Sequence, residues 1–392
     1  MTIKGIVRST LLGAALAGQA LSLSPMVQAD ARISLPGGDS RVNVDYKPVN
    51  LHANKRQLAL RFAQQYDQFK PLLEQRLDGQ NNAVQMSELS SYAARNGLDI
   101  QAMKSLDRAV RQSKGMVAEA DHLIEVRMAD DRMIREWQQG AEPLFAYVPE
   151  GDEESWYHIE AFDADGRPHS LSPDVMPDRP VFVVGINAEK DLRIGLEIMQ
   201  QTFEQEGVSG SPRPTLNSTA DSDLETTVLK RVSVQDDNEP WIKGAAEVYS
   251  IVSGVDYEQD DARINVVDMP YLDYDGTDYY PNQVMVYWDR YRFQAVDMVF
   301  MEHDDSTNYK DLSLALVAAA QKALELYGRP DLAAIGVITT AILQAIPDDW
   351  MTDDDDYMDV IYTLMKYQTL NGQYGVSGNV RVDMEPLVIP RN

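Results

Sequence analysis

The chain has 392 residues, no cysteine, 35 Lys and Arg against 62 Asp and Glu, and a net charge of −27. Zero cysteine excludes disulfides, thiolate-held zinc, iron–sulfur clusters and thiol catalysis. The acid excess argues against nucleic acid and anionic lipid as partners, while a 44% hydrophobic fraction suffices for packed cores in two or three domains.

The N-terminus reads as a secretory signal peptide over residues 1–29. Lys4 and Arg8 form its basic region, residues 11–23 its apolar stretch, and Val27-Gln28-Ala29 its small-residue cleavage site. Loss of Lys4 and Arg8 with the leader takes the net charge from −27 to −29. The expected location is secreted or periplasmic. No later apolar run reaches the length of a membrane span, since residues 332–346 are interrupted by Gly336, Thr339, Thr340 and Gln344. The mature chain is therefore expected to be soluble, with no membrane insertion.

Residues 30–142 read as a helical module behind a loop-rich lead-in over 30–50. Leu58, Phe62 and Phe69, then Leu72, Leu73 and Leu77 beyond Pro71, recur at helical spacing. Ser87-Glu88-Leu89 opens a further helix that Asn96-Gly97 closes, and Ile100, Met103, Leu106 and Val110 mark the next. Residues 143–206 form a small mixed region. It holds strands near 144–148, 156–162 and 179–185, a hairpin turn at Asp163-Ala164-Asp165-Gly166, and a helix over 188–206. A Gly-, Ser- and Pro-rich linker spans 207–224.

Strands are expected at 227–234, 247–253, 262–267, 284–291 and 294–301 from β-branched and aromatic content. Helices are expected at 311–327, 331–345 and 359–367, with a return to strand over 378–389. The fold class is thus α+β: an N-terminal helical module, a mixed middle region, and a C-terminal antiparallel β-sandwich over 225–392 with a helical insertion at about 311–367.

Two acidic segments follow predicted strands: Asp236-Asp237-Asn238-Glu239 and His303-Asp304-Asp305. Calcium takes six to eight oxygen ligands. Asp236, Asp237, Asp304 and Asp305 are the candidate ligands if both loops sit at one end of the sandwich. The arrangement resembles a C2-type calcium-binding sandwich, without that family's full motif. The plainer reading, solvated loop caps, stands beside it. Asp273-Tyr274-Asp275-Gly276 begins like an EF-hand loop, but its Gly comes too early and no Glu closes it. Asp353-Asp354-Asp355-Asp356 suits a helix start.

No catalytic motif is recognisable, and no catalytic residue or organic cofactor is assigned. His-Glu-x-x-His, Gly-x-Ser-x-Gly, Walker and dinucleotide fingerprints are all absent. His158 and His169 flank the predicted hairpin and would face each other across it. His303 beside Asp304 offers a general base. Tyr271, Tyr274, Tyr279, Tyr280, Tyr287, Trp288 and Tyr291 cluster in sequence, either as a carbohydrate or peptide platform or as half-buried sheet residues.

Pro180-Val181-Phe182-Val183-Val184-Gly185-Ile186-Asn187 and Trp241-Ile242-Lys243-Gly244-Ala245-Ala246-Glu247-Val248-Tyr249 resemble segments of an uncharacterised family of exported proteobacterial proteins. The resemblance covers most of the mature chain and implies no activity. The expected role is binding or structural, with calcium steadying the acidic loops. Two alternatives remain: a secreted hydrolase using carboxylates or His303 in a cleft, and an N-terminal module that inhibits another exported protein.

Overall fold

The computed structural model describes residues 51–116, 122–151, 155–208, 223–236, 240–303, 307–346 and 357–390. The fold is α+β, with helices at the N-terminal end and antiparallel sheets in the C-terminal half. The expected signal peptide, most of the expected linker and the Asp353–Asp356 run lie outside the described residues.

Helices α1 (His52–Gln64), α2 (Tyr66–Arg76), α3 (Met86–Asn96), α4 (Gln101–Ser113) and α5 (Asp131–Gln138) fall within the expected helical stretch. Local chemistry sets their ends. Gln85 and Glu88 form a reciprocal capping box on α3, Gly97 closes it at φ 68°, and Asp130 accepts the Arg132 N–H at the start of α5. Pro71 is carried inside α2.

Strands β1 (Ala83–Gln85) and β2 (Ile124–Met128) interrupt this helical stretch, where helical periodicity gave no sign of them. They join β3 (Leu144–Ala146), β4 (Ile159–Phe162), β5 (Pro168–Leu171) and β6 (Val181–Ile186) in one sheet of order β1-β2-β6-β3-β4-β5. Its β3–β6 pair is parallel. β2 lies before residue 142 and β6 after it, so the sheet and its core run straight across the expected boundary. Phe62, Phe69, Phe145 and Phe182 are fully buried in that core, with the Phe145 and Phe182 rings stacked at 5.6 Å. The predicted hairpin at Asp163–Gly166 is present, but His158 and His169 do not face each other. His169 lies opposite Ala161, and its ring meets Asp163 at 3.2 Å.

The C-terminal sandwich stacks two four-stranded sheets. One has the order β10-β7-β14-β13, from β10 (Gln283–Tyr287), β7 (Leu224–Val234), β14 (Val380–Ile389) and β13 (Leu370–Tyr374). The other has the order β12-β11-β8-β9, from β12 (Tyr357–Met365), β11 (Ala295–Glu302), β8 (Val248–Val255) and β9 (Ala262–Asp268). Every residue of β8 and β11 is buried, because their sheet is covered twice. One face meets the other sheet. The opposite face meets α6 (Ala188–Gln205), α7 (Tyr309–Tyr327) and α8 (Ala333–Ala345). Double coverage explains why these strands are continuously apolar rather than alternating.

Two expectations are corrected here. The third helix expected over 359–367 is replaced by strand β12 up to Met365 and a turn after it: Val360, Ile361, Tyr362 and Thr363 favour the pleat. Asp359, fully buried, accepts N–H groups of Val360, Ser377 and Val380, stapling the strand to the loop before β14. The strand expected over 284–291 stops at Tyr287, and a 3₁₀ turn over Trp288–Arg290 redirects the chain.

Candidate functional site

That turn helps to build a site-like feature among the described residues. β9 is the edge of one sheet and β10 the edge of the other. A cavity of about 270 Å³ opens between them, with Asn265, Asp268, Gln283, Tyr287, Arg290 and Tyr291 in its wall. Through Gln283 it adjoins a second space of about 490 Å³, lined by Pro270, Tyr271, Tyr279, Tyr280 and Pro281.

The inner pocket mixes polar side chains with Val266, Val267, Val284 and Met285 in its wall. On β9, Arg263, Asn265 and Val267 share the face turned toward the other sheet, because strand side chains alternate; Val267 packs in the inter-sheet core. Arg263 pairs with Asp256 at 2.7 Å and lies 5.9 Å from the Tyr291 ring centre. Asn265 is 5% exposed and donates to the Tyr291 hydroxyl, while its Oδ1 has no hydrogen-bond partner among the described residues. Gly254 gives the Tyr291 ring its place, since a Cβ there would stand 2.7 Å from it. The Arg290 guanidinium sits over the Tyr287 ring at 4.7 Å. Burial, and then Arg263 nearby, push the Arg290 guanidinium below its ordinary pKa. Asp268 lies on the other face of β9, toward α6, where burial and then Glu189 push its carboxyl up. Both shifts favour neutral forms, as expected for charges deprived of water.

The outer groove is aromatic and open. Tyr280 is 65% exposed, and the Tyr271 and Tyr279 rings stand 6.3 Å apart, tilted by 43°. Tyr271 donates to Gln283, whose amide donates to the Asp268 carbonyl at 2.7 Å. The Tyr279 hydroxyl accepts the Tyr274 N–H at 3.0 Å. These bonds fix the rings before any ligand arrives. The sequence cluster is thereby divided: Tyr271, Tyr279 and Tyr280 line the groove, whereas Trp288 and Tyr291 belong to the core. The EF-hand-like stretch is a turn in which Asp278 meets Arg381 at 2.8 Å and Arg231 at 3.5 Å.

A second constellation lies sealed inside. The Lys114 ammonium, just past α4, is 2.6 Å from Asp191 in the first turn of α6, with neither side chain exposed. His303 Nε2 stands 3.0 Å from the same carboxylate, and His303 Nδ1 is 2.7 Å from the Tyr309 hydroxyl. Gly195 lies under the Tyr309 ring, where any Cβ would strike it. The cluster ties the end of α4, helices α6 and α7, and the end of β11 together. The sequence offered His303 as a base in a cleft. Instead its side chain is 1% exposed and lines neither cavity, because α6 and α7 close over it.

Of the four candidate calcium ligands, Asp236 is exposed, and its backbone exchanges two 3.0 Å hydrogen bonds with the Asn379 side chain. Asp237, Asp304 and Asp305 lie outside the described residues. The strand ends leading into both acidic segments do converge. Val234 pairs with Val380, whose N–H binds Asp359, and Asp359 pairs with Phe300 near the end of β11. Among the described residues no group of three or more His, Asp or Glu side chains is placed to hold a metal ion, and no helix is long and apolar enough to cross a membrane.

Sequence reasoning singled out the tyrosines but not Asn265 or Arg290. The available signal was Trp288-Asp289-Arg290, a polar break inside an otherwise strand-like run. No curated protein and no solved structure matches the chain. A family model described as a protein of unknown function, DUF3103, matches residues 55–392, and the chain belongs to that family.

Proposed function

We propose that this chain is an exported binding protein whose ligand seat is the cleft between β9 and β10. One observation carries the reading: a preorganised aromatic groove that adjoins, through Gln283, a pocket lined in part by Asn265, Arg290 and Tyr291. Ligand sites characteristically join apolar walls to a few convergent polar groups in this way. Thermal-shift screening of the mature chain against sugars, peptides and small organic ions tests it. Stabilisation that disappears in Tyr280→Ala and Arg290→Gln supports the assignment; stabilisation unaffected by both places binding elsewhere.

Calcium at the acidic end of the sandwich belongs to the same proposal, favoured by the convergence of β7 and β11 at that end. Asp236, Asp237, Asp304 and Asp305 would supply carboxylate oxygens and relieve the self-repulsion of a strongly acidic chain. The melting midpoint should rise with added calcium and fall with chelator, by an amount set by ligand concentration over Kd. Combining Asp236→Asn with Asp304→Asn should abolish that response, and Asp354→Asn should leave it intact. A midpoint indifferent to calcium and chelator alike removes the metal from the proposal.

A further inference from the structure

We propose that Lys114 and Asp191 condense into an intramolecular isopeptide bond, an amide between the lysine Nζ and the aspartate Cγ. The bond ties the end of α4 to the first turn of α6 in a chain that has no cysteine for a disulfide.

The fold brings the two reactants together. Lys114 Nζ lies 2.6 Å from Asp191 Oδ2, and neither side chain is exposed. The carboxyl carbon is one bond beyond that oxygen, so amine and carbon stand in the contact range of a near-attack arrangement. Groups held in such geometry react as if at effective concentrations of ~10⁵–10⁸ M. With both side chains sealed from solvent, bulk water is kept from the bond once it has formed.

The contact is unlike an ordinary buried salt bridge, in which further hydrogen bonds satisfy the remaining lone pairs. Neither Asp191 oxygen has a hydrogen-bond partner among the described residues, and neither has Nε2 of His303, 3.0 Å from the same carboxylate. The 2.6 Å approach of Lys114 is therefore not an aligned hydrogen bond. The ammonium donates to the Thr307 carbonyl at 3.5 Å and stands 5.8 Å from the centre of the Tyr309 ring. A full ion pair in this place is poorly compensated. The amide leaves one N–H and one carbonyl where an ammonium and a carboxylate stood, and neutral groups cost far less to bury than charged ones.

The condensation needs no oxidant and no cofactor. One proton passes from the ammonium to the carboxylate, leaving an amine beside a carboxylic acid. The Nζ lone pair then forms a bond to Cγ. A second proton moves from the nitrogen to the departing oxygen, the C–O bond breaks, and one water leaves. An ammonium and a carboxylate thus become an amide and a water. His303 stands beside Asp191 Oδ2, and its Nδ1 is 2.7 Å from the Tyr309 hydroxyl. This holds the imidazole where it can carry the second proton across.

The position gives the bond its consequence. Met103 of α4 packs in the core of the first sheet, whereas Leu196 and Met199 of α6 pack in the core that covers the sandwich. A covalent link between α4 and α6 joins one core to the other. It also closes a long loop, which restricts the unfolded chain as a disulfide does.

Peptide mapping of the full mature chain by mass spectrometry, after denaturation and tryptic digestion, tests this. The expected result is a branched peptide that joins the segment around Lys114 to the segment around Asp191, lighter by one water than the two linear peptides together, with cleavage after Lys114 blocked. The intact chain should fall short of its sequence mass by the same water. Lys114→Arg keeps a cation but has no amine to acylate, and should restore the water and both linear peptides. Both linear peptides recovered from the folded parent chain at full mass overturn the proposal, whether or not the variant folds. A missing water without the branched peptide, or a branched peptide that persists in Lys114→Arg, places the dehydration elsewhere and overturns it as well.

Discussion

The junction at Asp191 and the cleft at Asn265 are both polar groups buried among apolar strands and helices, yet they have opposite consequences. In the junction a cation, a carboxylate, an imidazole and a phenol face one another, all of them buried. In the cleft Gln283, Arg290 and Tyr291 line an opening between two sheet edges. Buried polarity that closes on itself fastens a fold, whereas buried polarity left open to a pocket has capacity for a ligand. The number of charges does not distinguish the two; access does.

The largest expected effect breaks the junction. Asp191→Ala strands Lys114 without its anion, which should cost about 3–5 kcal/mol of unfolding free energy in urea titration. Asp191→Leu combined with Lys114→Met should cost much less than either single change, because no unpaired charge remains. If the double variant is as destabilised as the singles, the ion pair is not what holds this contact.

Gly195→Ala should follow, at roughly 1–3 kcal/mol, because the added methyl must displace the buried Tyr309 ring from its place against His303. A melting temperature equal to that of the parent protein would show that α6 and α7 slide freely there.

Asp297 supplies a pH-dependent contrast between closed and open polarity. It is 1% exposed on β11 and accepts the Thr363 N–H at 2.7 Å. Burial holds its carboxyl above the ordinary range. The native state therefore keeps a proton that the unfolded chain has already released, and stability falls as pH rises from the ordinary carboxylate value through the raised one. Asp297→Asn keeps an acceptor for Thr363 and carries no charge. It should raise the melting midpoint at pH 7 and have little effect below about pH 4, where Asp297 is protonated in both states. An equal effect at both pH values would mean that the carboxyl titrates normally.

The smallest effect on stability is expected in the cleft. Tyr280→Ala removes a ring that is 65% exposed and should change unfolding free energy by no more than about 0.5 kcal/mol. A loss as large as that of Asp191→Ala would make the groove a structural brace instead of a binding surface.

Much of the fold is legible in the residues alone. Asn187 and Asn308 cap α6 and α7, and Gly328 closes α7 in the left-handed conformation; each is a local device that works without knowledge of the rest of the chain. β1 and β2 were not legible. Their three and five residues lie between helical segments, and only pairing with a distant β6 makes them strands. The 359–367 segment misled for a related reason: its spacing suits a helix, but β11 was waiting to pair with it.

The sites divide along the same line. Tyrosine density around residues 271–280 marked the groove, because composition is local. Lys114, Asp191, His303 and Tyr309 come from four separate segments, so nothing in their neighbourhoods announced the junction. The absence of cysteine and the net charge of −27 were decided by composition, as were the capped helices and most C-terminal strands. Which carboxylate is sealed against a lysine, and which side chains line the cleft between β9 and β10, was decided only by tertiary structure. Burial and partner distance depend on contacts between residues far apart in the chain, and no local pattern encodes them.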